Sequence, residues 1–270
     1  DRYTIDNEPI EDIDLMERAA LQVTRWIIQR FTSERKFIFF AGTGNNGGDA
    51  MAVASLLAGK DYSCELFLMD TGKELQGSPA INWQRLVVQN KVYLSKLKNT
   101  ADFPATGKED IIVEGLFGAG LSRPLHGFPA MLVQKINSSG NTVIAIDIPA
   151  GLMGEDNQGN NPENIIQASY TLTFQFPKIA FLLPGSEKFT GKWEVLPIGL
   201  HPGIIDKTPT PFYWVSRNEI SAKLIQRSRF SHKGTYGHAL LVAGSYGKMG
   251  AAVLASEACL RTGAGLLTTH

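Results

Sequence analysis

The chain has 270 residues, of which 43% are hydrophobic, enough for one large domain and part of a second. Lys+Arg and Asp+Glu both number 26, so the formal net charge is zero. A balanced chain offers no electrostatic basis for binding nucleic acid or an anionic membrane.

No apolar run approaches the length needed to cross a bilayer, and we expect a cytoplasmic protein. Cys64 and Cys259 lie in apolar runs without zinc or disulfide spacing, which indicates free thiols in a reducing compartment.

The first predicted element is an amphipathic helix, because apolar residues recur at every fourth position from Leu15 to Phe31. The apolar run at 37–41 is typical of a strand buried on both faces, and residues 50–57 predict a helix. The alternation continues with helices at 81–88 and 131–136 and strands at 65–69, 111–113, 143–146, 170–174 and 193–196. This order predicts a doubly wound α/β fold with a mostly parallel sheet. Ligands of such sheets bind beyond the carboxyl ends of the strands.

A linker is predicted at residues 200–211, which contain three prolines and few large apolar residues. We therefore expect one domain at 1–210 and the beginning of another at 211–270, where a further apolar strand follows at 239–243. The chain starts at Asp1 rather than at a methionine and stops at His270 within a predicted strand. We accordingly expect it to be a piece of a longer protein.

The segment between the first strand and the next helix, residues 42–49, contains four glycines. Glycine tolerates positive φ, so we expect this loop to turn its amides inward and, with the helix N-terminus, to form a nest for a phosphate. Asn45 and Asn46 add neutral donors and acceptors. Asp49 either binds a ligand hydroxyl or caps the helix. The spacing matches neither the redox dinucleotide fingerprint nor a Walker loop.

Two more acids stand at the ends of predicted strands. Glu114 precedes a glycine-rich run and is placed to face a ligand or a cation; the alternative is a solvated turn. Asp147 follows an apolar strand and precedes Pro149, which removes a backbone donor and stiffens the turn. Partial burial would suit Asp147 to proton transfer, whereas the alternative is an Asx-turn that only holds the loop. Three acid-bearing segments at three strand ends favour one shared site.

These segments, GTGNNGGDA, EGLFGAGL and IDIPAG, resemble the signature loops of the NAD(P)H-hydrate epimerases, the YjeF-type amino-terminal domain. The stretches LMERAA, FPK and LLPG, which begin at residues 15, 176 and 182, are also similar to that family. The resemblance implies a Rossmann-like fold that epimerises the R and S forms of hydrated NADH or NADPH with a bound potassium ion. We also expect a homo-oligomer.

The resemblance also implies roles for individual residues. Inversion of the hydrated carbon, whether by loss and return of the hydroxyl or by ring opening and closing, needs a proton donor and acceptor. We assign this work to Asp147, with Asp49 in reserve. The implied cation ligands are Asn46, Glu114 and Ala150, an oxygen set suited to a hard cation. Glu114 stands where the family usually has Asp, and Ala150, where it usually has Ser, offers only a backbone carbonyl. The implied substrate-binding residues are Asn45, Asn46, Gly47, Gly48, Asp49, Gly118, Ala119, Gly120, Leu121, Ser122, Arg123, Pro124 and Asp147.

The end of the chain carries a second resemblance. HKGTYGH at 232–238, with AGS, MGAA and GAGL after it, resembles the start of the ADP- or ATP-dependent NAD(P)H-hydrate dehydratase domain, which has a ribokinase-like fold. That family's catalytic aspartate would lie beyond His270, so residues 1–270 should lack dehydratase activity. ADP or ATP is implied for that domain alone.

Other functions fit parts of the sequence. One is a non-catalytic module that recognises nucleotides or a protein through the same pocket, against which the intact acids and glycines argue. Another is an NAD-dependent oxidoreductase, which is disfavoured because the first loop lacks GxGxxG and no acid is obviously placed to bind a ribose. A ribokinase-like small-molecule kinase is a third interpretation for the end of the chain alone.

Overall fold

A computed structural model describes residues 1–270 with their side chains. The chain divides into two compact units, Asp1–Thr208 and Pro209–His270. None of the helices combines the length and the apolar character that crossing a membrane requires.

The first unit alternates strands and helices along most of its length. Its strands are β1 (Lys36–Ala41), β2 (Ser63–Met69), β3 (Tyr93–Leu97), β4 (Ile111–Gly115), β5 (Thr142–Ile146), β6 (Tyr170–Phe174) and β7 (Lys192–Leu196). Its helices are α1 (Arg2–Asn7), α2 (Asp12–Ile28), α3 (Asn45–Ala58), α4 (Gly77–Gln89), α5 (Gly127–Ser138), α6 (Glu187–Thr190) and α7 (Pro202–Lys207). Helix α7 lies inside the segment that was predicted to be a linker, and β3 was not predicted at all.

All seven strands form one sheet in the order β3-β2-β1-β4-β5-β6-β7, and every neighbouring pair is parallel. The chain builds β1, β2 and β3 toward one edge and then returns to place β4 on the other side of β1. The strand order therefore reverses between β1 and β4, and this is where doubly wound sheets bind ligands. The predicted Rossmann-like α/β fold is confirmed, with a sheet that is wholly rather than mostly parallel.

Helices cover both faces of the sheet, so its central strands are buried. In β1, Phe37 and Phe39 point to the side of α2 and α3, whereas Ile38 and Phe40 point to the side of α5. All four side chains are fully buried. Because successive side chains of a strand face opposite ways, only an unbroken apolar run can serve two cores, as this one does.

Helix α3 begins at Asn45, five residues before the predicted helix. None of the four glycines in this segment has a positive φ, so the expected positive-φ loop is wrong. The glycines instead permit close packing. A Cβ on Gly42 would lie 1.9 Å from the carbonyl oxygen of Leu116, and one on Gly47 would lie 1.9 Å from that of Gly42. The absence of these side chains lets the first turn of α3 approach β1 and the segment after β4.

The second unit contains α8 (Arg217–Lys223), β8 (His238–Leu241), α9 (Gly250–Thr262) and β9 (Leu266–Thr269). Strands β8 and β9 pair in parallel, and α9 connects them. The unit is therefore a βαβ motif preceded by a short helix. Its assignment to a ribokinase-like domain stays a prediction.

Two alanine substitutions test whether packing requires these glycines. Gly47→Ala should lower the free energy of unfolding by about 1–3 kcal/mol, the usual cost of an overpacked site, because its Cβ would collide with the Gly42 carbonyl. The control is Gly44→Ala, whose Cβ would meet nothing within 4 Å and which should cost about 1 kcal/mol or less. Urea denaturation followed by circular dichroism measures both; equal losses would contradict the packing argument.

Candidate active site

The three acid-bearing segments meet around one side chain at the carboxyl edge of the sheet. Asn46, in the first turn of α3, donates through Nδ2 to the carbonyl oxygen of Phe117 at 2.9 Å and to that of Ile146 at 3.1 Å. Phe117 follows β4, and Ile146 is the last residue of β5. One carboxamide thus joins α3 to the segments that follow two neighbouring strands.

The side chain of Glu114 connects the segments that follow β4 and β5 by hydrogen bonds to backbone amides of both. Its side chain is fully buried. Oε1 accepts a hydrogen bond from the backbone N–H of Leu116 at 2.7 Å, and Oε2 accepts one from that of Ala150 at 3.1 Å. Burial raises the pKa of Glu114 to about 8, although hydrogen bonds from the backbone of Leu116, Ala150 and Phe117 lower it in part. The alternative of an acid in a solvated turn is wrong.

Oxygen atoms suited to a cation lie among these groups. Asn46 Oδ1 is buried and has no hydrogen-bond partner. Such an acceptor costs about 1–3 kcal/mol unless it is satisfied, and a hard cation would satisfy it. The Ala150 carbonyl accepts from the N–H of Ile166 at 2.9 Å and retains a second lone pair. The Glu114 carboxyl group adds two more oxygens, so the donors here are the neutral and anionic oxygens that a hard cation takes.

Asp147 occupies a strained turn directly after β5. Its φ is +62°, and its backbone N–H donates to the carbonyl oxygen of Leu172 at 2.8 Å. Oδ1 accepts from the backbone N–H of Phe174 at 3.1 Å and lies 2.9 Å from Nζ of Lys178, with which it forms an ion pair. A left-handed conformation outside glycine costs of order 1–3 kcal/mol, and these bonds to β6 and its following loop hold it in place. Oδ2 has no hydrogen bond within the protein and is available to a ligand.

Asp49 lies one turn further along α3 than Asn46 and is buried. Burial raises the pKa of Asp49 well above its ordinary value, and the nearby charges of Asp147 and Asp12 raise it further. The protonated form is therefore favoured. The interpretation of Asp49 as a helix cap is wrong, because Gly44 occupies the N-cap position.

Two adjoining cavities open above these residues. The acid cavity, of about 270 Å³, is lined by Asp12, Asn45, Asp49, Ala119, Asp147 and Lys178 among others. The outer cavity, of about 470 Å³, is lined by Ala119, Leu121, Ser122, residues 153–156 and Lys178. Because Ala119 and Lys178 belong to both linings, the two cavities form one cleft.

The predicted site residues divide between the cleft and its support. Six of them line the acid cavity or the outer cavity, namely Asn45, Asp49, Ala119, Leu121, Ser122 and Asp147. Buried positions beneath the cleft are occupied by Asn46, Gly47, Gly48, Glu114 and Ala150. The lining of neither cavity includes Gly118, Gly120, Arg123 or Pro124.

Lys178 and Asp12 are site residues that were not predicted. A signal existed for Lys178, since it belongs to the FPK stretch that follows β6 and therefore lies at the same edge of the sheet as the other segments. Asp12 is the first residue of α2, and no strand end marks it. Its position near Asp49 depends on the packing of α2 against α3.

Fold and site together define a Rossmann-like α/β protein that gathers buried acids and a lysine around a cleft at the carboxyl edge of its sheet. The sequence profile of the YjeF-related protein N-terminus family matches residues 12–180. The chain belongs to this family, and the resemblance seen in the sequence is confirmed.

Relatives of known name cover different shares of the chain. The NAD(P)H-hydrate epimerase of Lentilactobacillus buchneri is 34% identical over 75% of this chain and 91% of its own length. The bifunctional NAD(P)H-hydrate repair enzyme Nnr of Moorella thermoacetica is 31% identical over 99% of this chain but only 51% of its own length, so the chain spans about half of that protein. The crystal structure of yeast YNL200c has a TM-score of 0.61 at 18% identity, covers 76% of this chain and 88% of its own, and shows a shared fold.

The burial of Asp49 predicts a pH-dependent stability. The pKa of Asp49 is higher in the folded protein than in the unfolded chain, where it is about 4. The free energy of unfolding therefore falls as the pH rises from about 4 toward the pKa of the folded state. Asparagine does not titrate, so Asp49→Asn removes this loss. The difference in free energy of unfolding between the variant and the wild type should therefore be more favourable to the variant at about pH 8 than at about pH 5. Urea denaturation at both pH values measures the difference. Glu34→Gln, at an exposed acid, is the control, and a gain in Asp49→Asn that is the same at both pH values would contradict the assignment.

Proposed function

We propose that the first unit interconverts the R and S forms of hydrated NADH and NADPH. The observation that carries this is the placement of Asp49 and Asp147 in the lining of one cavity, the first with a pKa raised by burial and the second paired with Lys178. Family membership supports the proposal, as do the names of relatives such as the Lentilactobacillus buchneri epimerase.

Two acids in different environments supply what the reaction needs. In one route, the C–O bond at the hydrated carbon breaks as Asp49 donates a proton, and the hydroxyl leaves as water. Water then adds to the opposite face and gives a proton to Asp147. In the other route, Asp147 takes the hydroxyl proton and Asp49 gives a proton to the ring nitrogen as the C–N bond opens, which leaves an aldehyde and an N–H group. Rotation of the aldehyde and reversal of both proton transfers then close the ring on the other face. In both routes one proton is given and one is taken, which is the work of a general acid and a general base.

We also propose a potassium ion bound by Asn46 Oδ1, Glu114 and the Ala150 carbonyl. The support is the unsatisfied buried oxygen of Asn46 beside an acid whose charged form lacks a counterion. Such an ion would supply a fixed positive charge that attracts the phosphates or polarises the substrate. The protein's own contribution is to hold the three oxygens with the hydrogen bonds of Asn46 and Glu114.

For the whole protein we propose a second activity, dehydration of the S form with ADP or ATP, together with a cytoplasmic location and a homo-oligomeric state. The first of these rests on the HKGTYGH stretch and its neighbours in the second unit. The match to the Moorella thermoacetica enzyme extends over 99% of this chain and so includes that unit.

Asp147→Asn tests the proposed chemistry. The substitution removes the base while asparagine tolerates the same φ, so epimerisation should fall by about 10²-fold or more. Exchange between separated R and S forms of hydrated NADH, followed by chromatography, is the measurement. Asp61→Asn is a matched control, because Asp61 also has φ +62° and also pairs with a lysine, Lys91, at the amino edge of the sheet. Wild-type protein that binds hydrated NADH without exchanging the two forms would be a binding module and not an epimerase.

Potassium should stabilise the protein through Glu114. At a potassium concentration of about 100 times the dissociation constant, the wild type should gain about 2.7 kcal/mol over the same protein in choline chloride of equal ionic strength. Glu114→Gln should abolish that difference, whatever its effect on stability in choline. Thermal melts in the two salts make the comparison within each variant. Identical wild-type melts in both salts would overturn the cation site.

A further inference from the structure

A third cavity lies at the carboxyl edge of the sheet, beyond the ends of β2 and β3. It has a volume of about 460 Å³, and its lining includes Thr43, Asp70, Lys73, Glu74, Trp83 and Lys96. We propose that this cavity, called here the β2 cavity, binds the adenosine half of the dinucleotide substrate, with the ribose at Asp70 and the adenine against Trp83. The proposal rests on the proposed function, which it extends from the reacting ring to the other end of the substrate.

Asp70 follows β2 directly, and the fold holds it there. Its backbone N–H donates to the carbonyl oxygen of Leu97 at 2.8 Å, and Oδ1 accepts from the N–H of Gly72 at 2.9 Å. Oδ2 has no hydrogen bond within the protein. In dinucleotide-binding sheets of this strand order, an acid after the second strand accepts hydrogen bonds from the ribose hydroxyls. The sequence alone does not single out Asp70 for this role, because the order of the strands in the sheet places it beside the cavity.

The remaining lining suits a nucleoside better than an isolated phosphate. Asp70 and Glu74 oppose Lys73 and Lys96 in charge, so the formal charge of the cavity sums to zero. None of the four forms an ion pair within the protein. Trp83 is half-buried, packs against the core and is among the residues that line the cavity. A flat aromatic surface is what a base stacks on.

Gly44 provides the path between the two halves of the site. Its neighbour Thr43 lines the β2 cavity, and its other neighbour Asn45 lines the acid cavity. Gly44 has φ −94°, which any residue adopts, and a Cβ there would meet nothing within 4 Å. Neither backbone conformation nor internal packing therefore requires glycine at this position. The open space lies beside the unpaired amides that begin α3, and we place the pyrophosphate there.

Paired substrates test the placement of adenosine. Hydrated NADH contains the adenosine half, whereas hydrated reduced nicotinamide mononucleotide lacks it. Asp70→Asn keeps an oxygen for the Gly72 turn but removes the charge, so it should raise KM about tenfold for the dinucleotide and leave kcat and the mononucleotide unchanged. It should also shift the ratio of kcat/KM values toward hydrated NADPH, because the variant no longer repels a 2′-phosphate. Asp61→Asn, at an exposed acid outside the cavity, is the control and should change none of these values.

Gly44→Asp tests the connecting path. Aspartate is a favoured N-cap residue, so the melting temperature should not fall. Its bulk and charge should nevertheless raise KM for hydrated NADH by about tenfold or more, because the pyrophosphate would be repelled. An unchanged KM in this stable variant would overturn the path.

Binding of AMP, measured by calorimetry, separates failure of this proposal from failure of the proposed function. Wild-type protein should bind AMP, and Asp70→Asn and Trp83→Ala should each weaken that binding about tenfold. A wild type that epimerises neither substrate but still binds AMP in this Asp70-dependent way overturns the proposed function alone. A wild type that epimerises both substrates while Asp70→Asn affects them equally, or affects neither, overturns the adenosine site alone.

Discussion

The carboxamide of Asn46 joins three segments of the chain that are remote in sequence. Its Nδ2 donates to carbonyl oxygens after β4 and at the end of β5, and it reaches both because the first turn of α3 packs against the end of β1 and the segment after β4. That approach depends on the missing side chains of Gly42 and Gly47. Since Nδ2 faces the two carbonyls, Oδ1 is left buried and without a donor. The same contact that joins the three segments therefore also leaves this oxygen without a partner.

The chemistry proposed for the cleft rests on two acids held in unlike surroundings. Asp49 lies within a helix against the core, where burial raises its pKa and favours the neutral acid. Asp147 lies on a strained turn and shares an ion pair with Lys178. Pairs of carboxyl groups separated in this way can give and take protons at one site. Glu114, the third acid, lies below the cleft and bonds to backbone amides, so it supports the two segments rather than reaching the substrate.

The position of α3 also explains how one substrate could extend across the sheet. The strand order reverses between β1 and β4, and the first turn of α3 stands above that point. Cavities lie on both sides of it, the acid cavity toward β5 and the β2 cavity toward β2 and β3. A dinucleotide has two bulky ends joined by a narrow anionic link. A site with two cavities separated by a bare glycine and a helix N-terminus has the complementary shape and charge.

The sequence by itself determined the fold class and the segments that carry the acids. Unbroken apolar runs mark strands buried on both faces, and the residues that follow them must lie at one edge of a parallel sheet. Residues Asp49, Glu114 and Asp147 could be singled out in this way, and the family followed from their loops. The edge strand β3 escaped prediction because most of its residues are at least partly exposed, so it lacks such a run. The early start of α3 escaped because glycine is a poor helix former.

Only the tertiary structure decided which groups touch. That Asn46 bonds to two strand ends, that Asp12 approaches Asp49, and that Asp70 lines a cavity all depend on how helices pack and in what order strands pair. The glycine-rich segment at 42–49 predicts a positive-φ loop when it is considered alone, yet its glycines have negative φ and instead allow close contact at Gly42 and Gly47 and open space at Gly44. The local sequence pattern determines which helix or strand a residue belongs to and which way its side chain faces. The distance between residues that are remote in sequence depends on how those elements pack, and no short stretch of sequence specifies that packing.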